Sequence, residues 1–531
     1  MIVKFLVSIL PIFVYVYLKT TKSFQMLQQN WYNDGNRYLK WIKKNKKKEF
    51  YNFDILIVNI IFFQFIIKDA SIIMILVVAF YTVMSLLYLY NSKKEQTKLE
   101  LKITKRVKRL FVTHFIIYIA LLLMTINFNE KYITMYYLII GIFVYLNNYI
   151  TLLSNIINIP IEKMINNGFK KKAVKKLKNM NNLSVVGITG SYGKTSSKNI
   201  LNDILSVKYN SLPTPKNFNT PLGLIITINN HLDKFNDIFI AEMGAFKKGE
   251  IKELCDLVHP KYGILTKIGV AHLESFGSQK NIQEGKFELI ESLPSDGIGV
   301  LNGDDKLQLS YKLKNKVRTV FIGIDNKEVD VRATNIKLNN DGTTFDCIFK
   351  NDTTKYKFET KLLGKANIYN ILAGIALGKE LNISIKQLQA GVKKVKPVEH
   401  RLELKKVGNL NIIDDAYNAN PDGTKMALDV INSMPGKKIV ISSGMIELGD
   451  KSYELNKELG DYMANKVDEV ILLGKEQTKP VYDGLINNKF AKNKIHVLNN
   501  IQDAINLLES LREKETYVLI QSDLPDIFNE K

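Results

Sequence analysis

The chain has 531 residues, enough for three or more domains, and a formal net charge of +22. Much of the excess falls in three clusters, Arg37–Lys48, Lys93–Arg109 and Lys163–Lys178, each abutting a long apolar run, which points to membrane flanks and away from nucleic acid. The two cysteines, Cys255 and Cys347, are far apart and lack any partner motif, which argues against a disulfide framework and a zinc site and fits a reducing, cytosolic catalytic part.

In chain order, apolar runs come first: Ile2–Leu18, Phe53–Ile67, Ser71–Tyr90, Leu110–Phe128 and Tyr132–Leu153. A helix needs about 20 apolar residues to cross a bilayer. The last three runs reach or approach that length; the first two are short, and the second carries Asn59 and Gln64. The first run lacks a small-residue cleavage site and is followed by Lys19 and Lys22, so it reads as a retained anchor. Basic loops Lys19–Phe50 and Asn91–Arg109 belong inside, and the tiny connections Lys68–Ala70 and Asn129–Lys131 outside. The sequence therefore predicts a multi-span domain over residues 1–165 with about five helices. Its N-terminus would lie outside, and everything after about residue 160 in the cytoplasm.

From Leu183 the pattern changes to short apolar strands alternating with amphipathic segments: "LSVVGITG", "DIFIAEMG", "YGILTKIG", "GIGVLNGDD", "NLNIIDDAYNANP", "KKIVISSGM", "DEVILLG" and "TYVLIQSD". Such alternation predicts α/β architecture with parallel sheets. Pro397 interrupts a helical pattern and marks a boundary near Val395–Arg401. The expectation is a phosphate-loop ATPase domain over 180–398. A Rossmann-like C-terminal domain would follow over 399–531, with strands at 439–443, 469–473 and 517–520.

The chemistry begins at Val186–Ser197, "VGITGSYGKTSS". A strand runs into a glycine loop, and a helix follows. Glycines let backbone N–H groups face an anion, and the helix N-terminus adds positive potential. Gly190, Ser191, Gly193, Lys194, Thr195 and Ser196 form the expected nucleotide-binding set. Lys194 can reach the β- and γ-phosphates, and the Thr195 hydroxyl can ligate Mg²⁺. The loop is tighter than the general phosphate-loop pattern, whose first glycine would fall at Ile188; the bland alternative is a strand-to-helix turn with a surface lysine. A transporter ATPase would need a signature such as "SGGQ", and the chain has none.

Further motifs follow in order: "PKNFNTPLGL" at 215–224, "AEMGAFKKGEIKEL" at 241–254, "TKIGVAHLESFGS" at 266–278, "EGKFELI" at 284–290 and "NGDD" at 302–305. After these come "GKANIYN" at 364–370, "EHRLE" at 399–403, "IIDDAYNANPDGTKMAL" at 412–428 and "SGMIELGD" at 443–450. Over about residues 183–520, roughly two thirds of the chain, this series resembles the Mur ligase family. It is most similar to the branch that joins D-alanyl-D-alanine to a UDP-N-acetylmuramoyl tripeptide. The short "TGSYGKT" loop is similar to the form this family uses.

The resemblance implies an ATP-dependent ligase that works through an acyl phosphate, with ATP and Mg²⁺ as cofactors. It implies Lys194, His272 and Lys286 as catalytic, with Thr195, Glu242, His272 and a carbamylated Lys286 as metal ligands. Asn302, Asn370, Arg401 and Asp415 would join the loop in holding the nucleotide. Asn217, Asn219, Thr220, Tyr417 and Asn418 would face the substrates. The implied partners are a muramoyl-peptide-like or lipid-linked carboxylate acceptor, a D-Ala-D-Ala-like amine and the lipid bilayer, with no nucleic acid. Taken one at a time, the polar residues also read as loop caps and turns.

The sequence departs from the family in several places. Lys267 stands where the family has Asn in "TNIG", Ala366 where it has the histidine of "GxHN", and "QSDLPDIF" where it has "KGSR". The membrane block takes the place of the uridine-binding domain. Three functions therefore remain open: a membrane-tethered ligase of cell-wall precursors, a ligase acting on a lipid-linked or polyglutamate-like polymeric acceptor, and a nucleotide-binding membrane scaffold without turnover. The metal-ligand set argues against the third.

Overall fold

The computed structural model describes residues 2–30, 32, 35–46, 54, 66–67, 69–93, 100–123, 132–339, 342–408, 410–416, 420–446 and 448–521. The chain divides into two compact units, Met1–Asn167 and Gly168–Lys531.

The first unit is helical: Ile2–Ser8, Leu10–Gln29, Gly35–Lys44, Ala70–Lys93, Lys105–Leu123, Ile133–Tyr145 and most of Asn147–Lys178, inside which the division falls. Among the described residues, Val3–Gln29 and Ala70–Ser92 are long and apolar enough to cross a membrane. Ile133–Tyr145 and Asn147–Lys178 add a third if that pair, bent by 73°, forms one span. So two or three of the five expected spans qualify. Most of Phe53–Ile67, the connection Asn129–Lys131 and the end of Leu110–Phe128 lie outside the described residues, and the last of these runs is helical as Lys105–Leu123.

The expected single run Tyr132–Leu153 is broken at Leu146, and the next two residues give the reason. Asn147 and Asn148 are buried amides with partners on other helices. Asn147 Oδ1 accepts from Thr20 and Tyr118, and Asn148 Oδ1 accepts from Ser23 at 2.6 Å and Tyr38 at 3.2 Å. Buried amides must be satisfied, and here the chain turns where they are. The described residues of this unit include the ion pair Lys19–Asp54 at 2.5 Å, both buried, and a bidentate Arg109–Glu162 pair at 2.7 and 2.9 Å.

The second unit holds two sheets. The larger has nine strands: β1 Ser184–Thr189, β2 Ser211–Pro213, β3 Ile238–Glu242, β4 Tyr262–Leu265, β5 Ile298–Asn302, β6 Arg318–Gly323, β7 Val331–Asn339, β8 Gly342–Phe349 and β9 Tyr356–Thr360, in the order β2-β3-β1-β4-β5-β6-β7-β8-β9. Strands β1 to β6 pair in parallel; β7, β8 and β9 continue as an antiparallel meander. Five of the six residues of β1 are buried, as expected for a strand covered on both faces. Helices Lys194–Leu205, Lys365–Glu380 and Ile385–Lys394 cover one face, and Pro221–Asn230, Glu250–Val258 and Gln279–Glu291 the other.

The smaller sheet has β10 Glu403–Val407, β11 Leu410–Asp415, β12 Lys437–Ser442, β13 Glu469–Leu473, β14 Ile495–Leu498 and β15 Thr516–Gln521, in the order β10-β11-β15-β12-β13-β14. Only β10 is antiparallel to its neighbour. Helices Pro421–Asn432, Ser452–Met463 and Lys479–Asn487 pack on one side and Ile501–Leu511 on the other. In the larger sheet β1 lies between β3 and β4, so the strand order reverses beside it. Open α/β sheets bind their ligands at such a reversal, outside the carboxyl ends of the strands.

Candidate active site

The glycine loop follows the carboxyl end of β1, at that reversal. Its turn needs φ of +151° at Gly190 and +81° at Gly193, both in the region that glycine favours. A Cβ on Gly190 would sit 2.0 Å from Thr266 Oγ1, so the first glycine is fixed by space as well as by angle. The neighbouring strand ends hold the loop. Ser191 N–H donates to the Lys267 carbonyl at 2.8 Å, and the Thr266 hydroxyl donates to the Tyr192 carbonyl at 2.6 Å. Helix Lys194–Leu205 begins directly after the loop, so Lys194, Thr195 and Ser196 form its first turn.

Lys194 Nζ folds back to donate to the carbonyls of Gly190 at 2.8 Å and Ser191 at 3.2 Å. Burial lowers its pKa to about 8, opposed by Glu242 and assisted by Arg401. Glu242 ends β3, directly opposite Ile188 in the register. That register brings its buried carboxylate to the loop, where Oε1 accepts from Thr195 Oγ1 and Asn219 Nδ2, each at 3.1 Å. Oε2 is buried, lies 2.9 Å from Lys198 Nζ and accepts no hydrogen bond.

The residues fit a magnesium ion. A hydroxyl and a carboxylate are hard oxygen donors, and Thr195 Oγ1 and Glu242 Oε1 meet at 3.1 Å beside the glycine loop. Among the described residues no three His, Cys, Asp or Glu side chains cluster as a protein-only cage.

The segment after β3 touches both other expected metal residues. The His272 ring meets Phe246 edge-on at 4.6 Å, and Lys286 Nζ donates to the Ala245 carbonyl at 3.4 Å. Lys286 is fully buried, 5.3 Å above the Phe276 ring. Burial drives its pKa well below the ordinary lysine value, and Lys194 pushes the same way. His272 has a left-handed backbone, φ +61°, at the start of the short helix Leu273–Phe276.

The remaining expected residues divide. Asn370 sits against the loop: a Cβ on Gly193 would lie 3.4 Å from its Oδ1. Asn302 ends β5 and accepts from Asp304 N–H at 2.9 Å. Arg401 lies close enough to influence both Lys194 and Asp415. Asp415, at the end of β11, accepts from Leu402 N–H at 3.2 Å, and burial pushes its pKa up to about 7 against the pull of Arg401. Asn217 is exposed in the loop before helix Pro221–Asn230. Asn219 is committed to Glu242, and Thr220 caps that helix by accepting from Gly223 N–H at 3.3 Å. Tyr417 and Asn418 lie outside the described residues.

Sequence reasoning overlooked two residues. Lys198 is four positions beyond Lys194, a spacing that stacks side chains on one helix face and was there to be seen. Asp305 accepts from Ile268 N–H at 2.9 Å and ties the segment that follows β4 to that which follows β5; no local pattern announces it.

The Mur ligase middle domain matches residues 188–378, and the glutamate ligase domain of Mur ligases matches 400–523. This chain belongs to the Mur ligase family. This Mur ligase is 35% identical over 296 residues to the UDP-N-acetylmuramoyl-tripeptide–D-alanyl-D-alanine ligase of Bacillus subtilis, covering 55% of this chain and 63% of the relative. It is 32% identical over 295 residues to the enzyme of that name from Escherichia coli, covering 55% and 65%. It thus spans a little under two thirds of the length of these relatives. Its fold is similar to the crystal structure of the MurF ligase of Thermotoga maritima in complex with ADP, with TM-score 0.61, 26% identity, and coverage of 67% of this chain and 80% of that one.

Proposed function

We propose that this Mur ligase is an ATP-dependent amide ligase, tethered to a membrane by its helical unit, that activates a carboxylate as an acyl phosphate. The observation that carries the reading is the contact of Thr195 with Glu242 at 3.1 Å beside Lys194, at the switch point of a parallel sheet. Phosphoryl transfer between anions needs positive charge at the transferred group and fixed geometry. Lys194 supplies charge to the β- and γ-phosphates, and the loop N–H groups hold them. Mg²⁺, held by Thr195 and Glu242, would neutralise the charge that builds on the transferred group.

The acceptor carboxylate attacks the γ-phosphorus, the bond to the bridging oxygen breaks and ADP leaves. The amine then attacks the acyl carbon, phosphate departs from the tetrahedral intermediate and an amide remains. Burial lowers the pKa of Lys286 and so favours the neutral amine that takes up CO₂; the carbamate would give the site, with His272, oxygen and nitrogen donors for a second Mg²⁺. Asn302, Asn370, Arg401 and Asp415 hold the nucleotide, so the site is complete only when the C-terminal domain closes on it. The acceptor lies along Asn217, Asn219 and Thr220, and Tyr417 and Asn418 are the further residues expected to bind substrate.

The names of the relatives make D-Ala-D-Ala and a muramoyl tripeptide the first substrates to try. A second reading rests on the helical unit, which precedes the matched residues and exposes apolar side chains: the acceptor is lipid-linked or polymeric, and tethering raises the local enzyme concentration. The test is product detection by mass spectrometry on detergent-solubilised protein with ATP, Mg²⁺, D-Ala-D-Ala and either the UDP-linked or a lipid-linked muramoyl tripeptide. Pentapeptide from the soluble substrate assigns the first reading, and product from the lipid-linked one alone assigns the second. ATP binding without turnover when both acceptor and amine are present sinks the ligase reading and leaves a nucleotide-binding scaffold.

A further inference from the structure

Lys198 lies one turn beyond Lys194 on helix Lys194–Leu205, and only 1% of its side chain is exposed. Lysine is almost never fully buried unless paired, and this one has two partners. Its ammonium lies 2.9 Å from Glu242 Oε2 and donates to the carbonyl of Lys216. Lys216 has φ +47°, a strained angle for a side chain of that size, in the loop that carries Asn217, Asn219 and Thr220. One buried cation therefore joins the carboxylate of the site to the backbone of the loop beside it. Asn219 Nδ2 closes the circuit from the other direction, on Oε1 of the same carboxylate.

We propose that Lys198 is a positioning residue. It pins Glu242 by Oε2, so that Oε1 faces Thr195, and by the same ammonium it fixes the bend of the acceptor loop at Lys216. This rests on the nucleotide and metal reading of the site given above. Partners behind a ligating carboxylate orient it, and their loss costs about 10- to 100-fold in metal affinity or activity. Here the same loss also loosens the acceptor loop, so metal requirement and acceptor recognition are coupled through one side chain. A lysine acting only as a structural counter-charge would lower the folded fraction and leave both quantities unchanged in the molecules that fold.

The test uses the full-length protein in detergent, with ADP binding measured by calorimetry across Mg²⁺ concentrations and acceptor KM measured by product formation. In Lys198→Met the Mg²⁺ needed for half-maximal ADP binding rises about 10- to 100-fold. Acceptor KM rises with it, and kcat at saturating Mg²⁺ and acceptor changes less than either. Lys198→Gln, polar and easier to accommodate, covers the case in which the apolar variant does not fold. It keeps a donor for the Lys216 carbonyl but no charge for Glu242, so its Mg²⁺ requirement rises while acceptor KM moves less. A wild-type Mg²⁺ requirement in either folded variant, or a fall in kcat alone, overturns the proposal. Failure of the wild-type protein to bind ADP with Mg²⁺ would instead sink the nucleotide site, and the proposal with it.

Discussion

Among the described residues of the first unit, twenty-nine large apolar side chains lie exposed, from Val3 to Met164; the second unit, more than twice as long, exposes nine. The interiors are reversed as well. The first unit buries Lys19 against Asp54 and a set of amides and hydroxyls around Asn147 and Asn148. The second buries valine, leucine and isoleucine on both faces of its sheets, and among its described ion pairs the most deeply buried, Glu242 with Lys198, lies at the site. Water as solvent selects the second arrangement. The first suits a surround of hydrocarbon, where apolar side chains lose nothing by facing outward and polar ones must find partners inside.

The largest expected effect falls on the chemistry of the second unit and spares the first. Lys194→Ala should lower ligation at least 10²- to 10³-fold, the loss seen when one pre-organised donor is removed. Its recovery in the membrane fraction should be unchanged, since Lys194 belongs to the second unit; turnover near wild type would remove the loop from the mechanism. A paired substitution tests the comparison itself. Val83 is 53% exposed within Ala70–Ser92, and Ile505 is 47% exposed on helix Ile501–Leu511. Val83→Lys should cost about 2.5–3.5 kcal/mol of membrane insertion, read from glycosylation-mapped insertion efficiency. Ile505→Lys should stay within about 0.5 kcal/mol of wild type in a urea melt. Equal, small effects at both positions would put water around both units.

How far the sequence could be read follows the same division. Buried parallel strands are continuous apolar runs, and "SVVGIT", "IFIAE" and "EVILL" each form the expected strand. The meander β7–β9 went unread because "VRATNIKLN" alternates, with one side of the strand partly open, and reads as polar. The signal that could have found it is in the sequence, where Asp-Gly at 341–342 separates two alternating runs. In the site, the loop was legible because glycines and Gly-Lys-Thr are local. The role of Asn219 was not, while that of Thr220 could be read. Asn219 is aimed by Glu242 on another strand, and Thr220 serves the end of its own helix, a use that its place before Pro221 already signals. In the first unit, hydropathy finds the helices but not the turn at Leu146, which depends on amides meeting partners from Thr20 to Tyr118.

A smaller effect sharpens the account of how the second unit packs. Helices Ser452–Met463 and Lys479–Asn487 meet at Gly460 and Gly484, where a Cβ on Gly484 would lie 2.2 Å from the Lys457 carbonyl oxygen and 2.8 Å from Asp461 N. Both obstacles are backbone and cannot swing aside. Gly484→Ala should therefore destabilise the C-terminal domain by about 1–3 kcal/mol, the range for overpacking, seen as a lower urea midpoint. An unchanged midpoint would mean that these helices separate freely.

The smallest expected effect separates stability from function at one carboxylate. Burial raises the pKa of Asp415 from the ordinary carboxylate range to about 7, despite Arg401. Between about pH 4 and pH 7 the folded protein holds a proton there that the unfolded chain has released, so this group favours folding at low pH and stops doing so as pH rises through about 7. Asp415→Asn removes the titration. Its melting temperature should match wild type near pH 4 and exceed it at pH 8, by about 2–4 °C if the gain is near 1 kcal/mol. The same variant should bind ADP more weakly with Mg²⁺ present if Asp415 holds the nucleotide as proposed. A gain in stability without a loss of binding would make Asp415 a buried acid with no part in the site. A gain paired with a loss would mean that the chain tolerates an unfavourable buried charge beside Arg401 because the nucleotide needs it there.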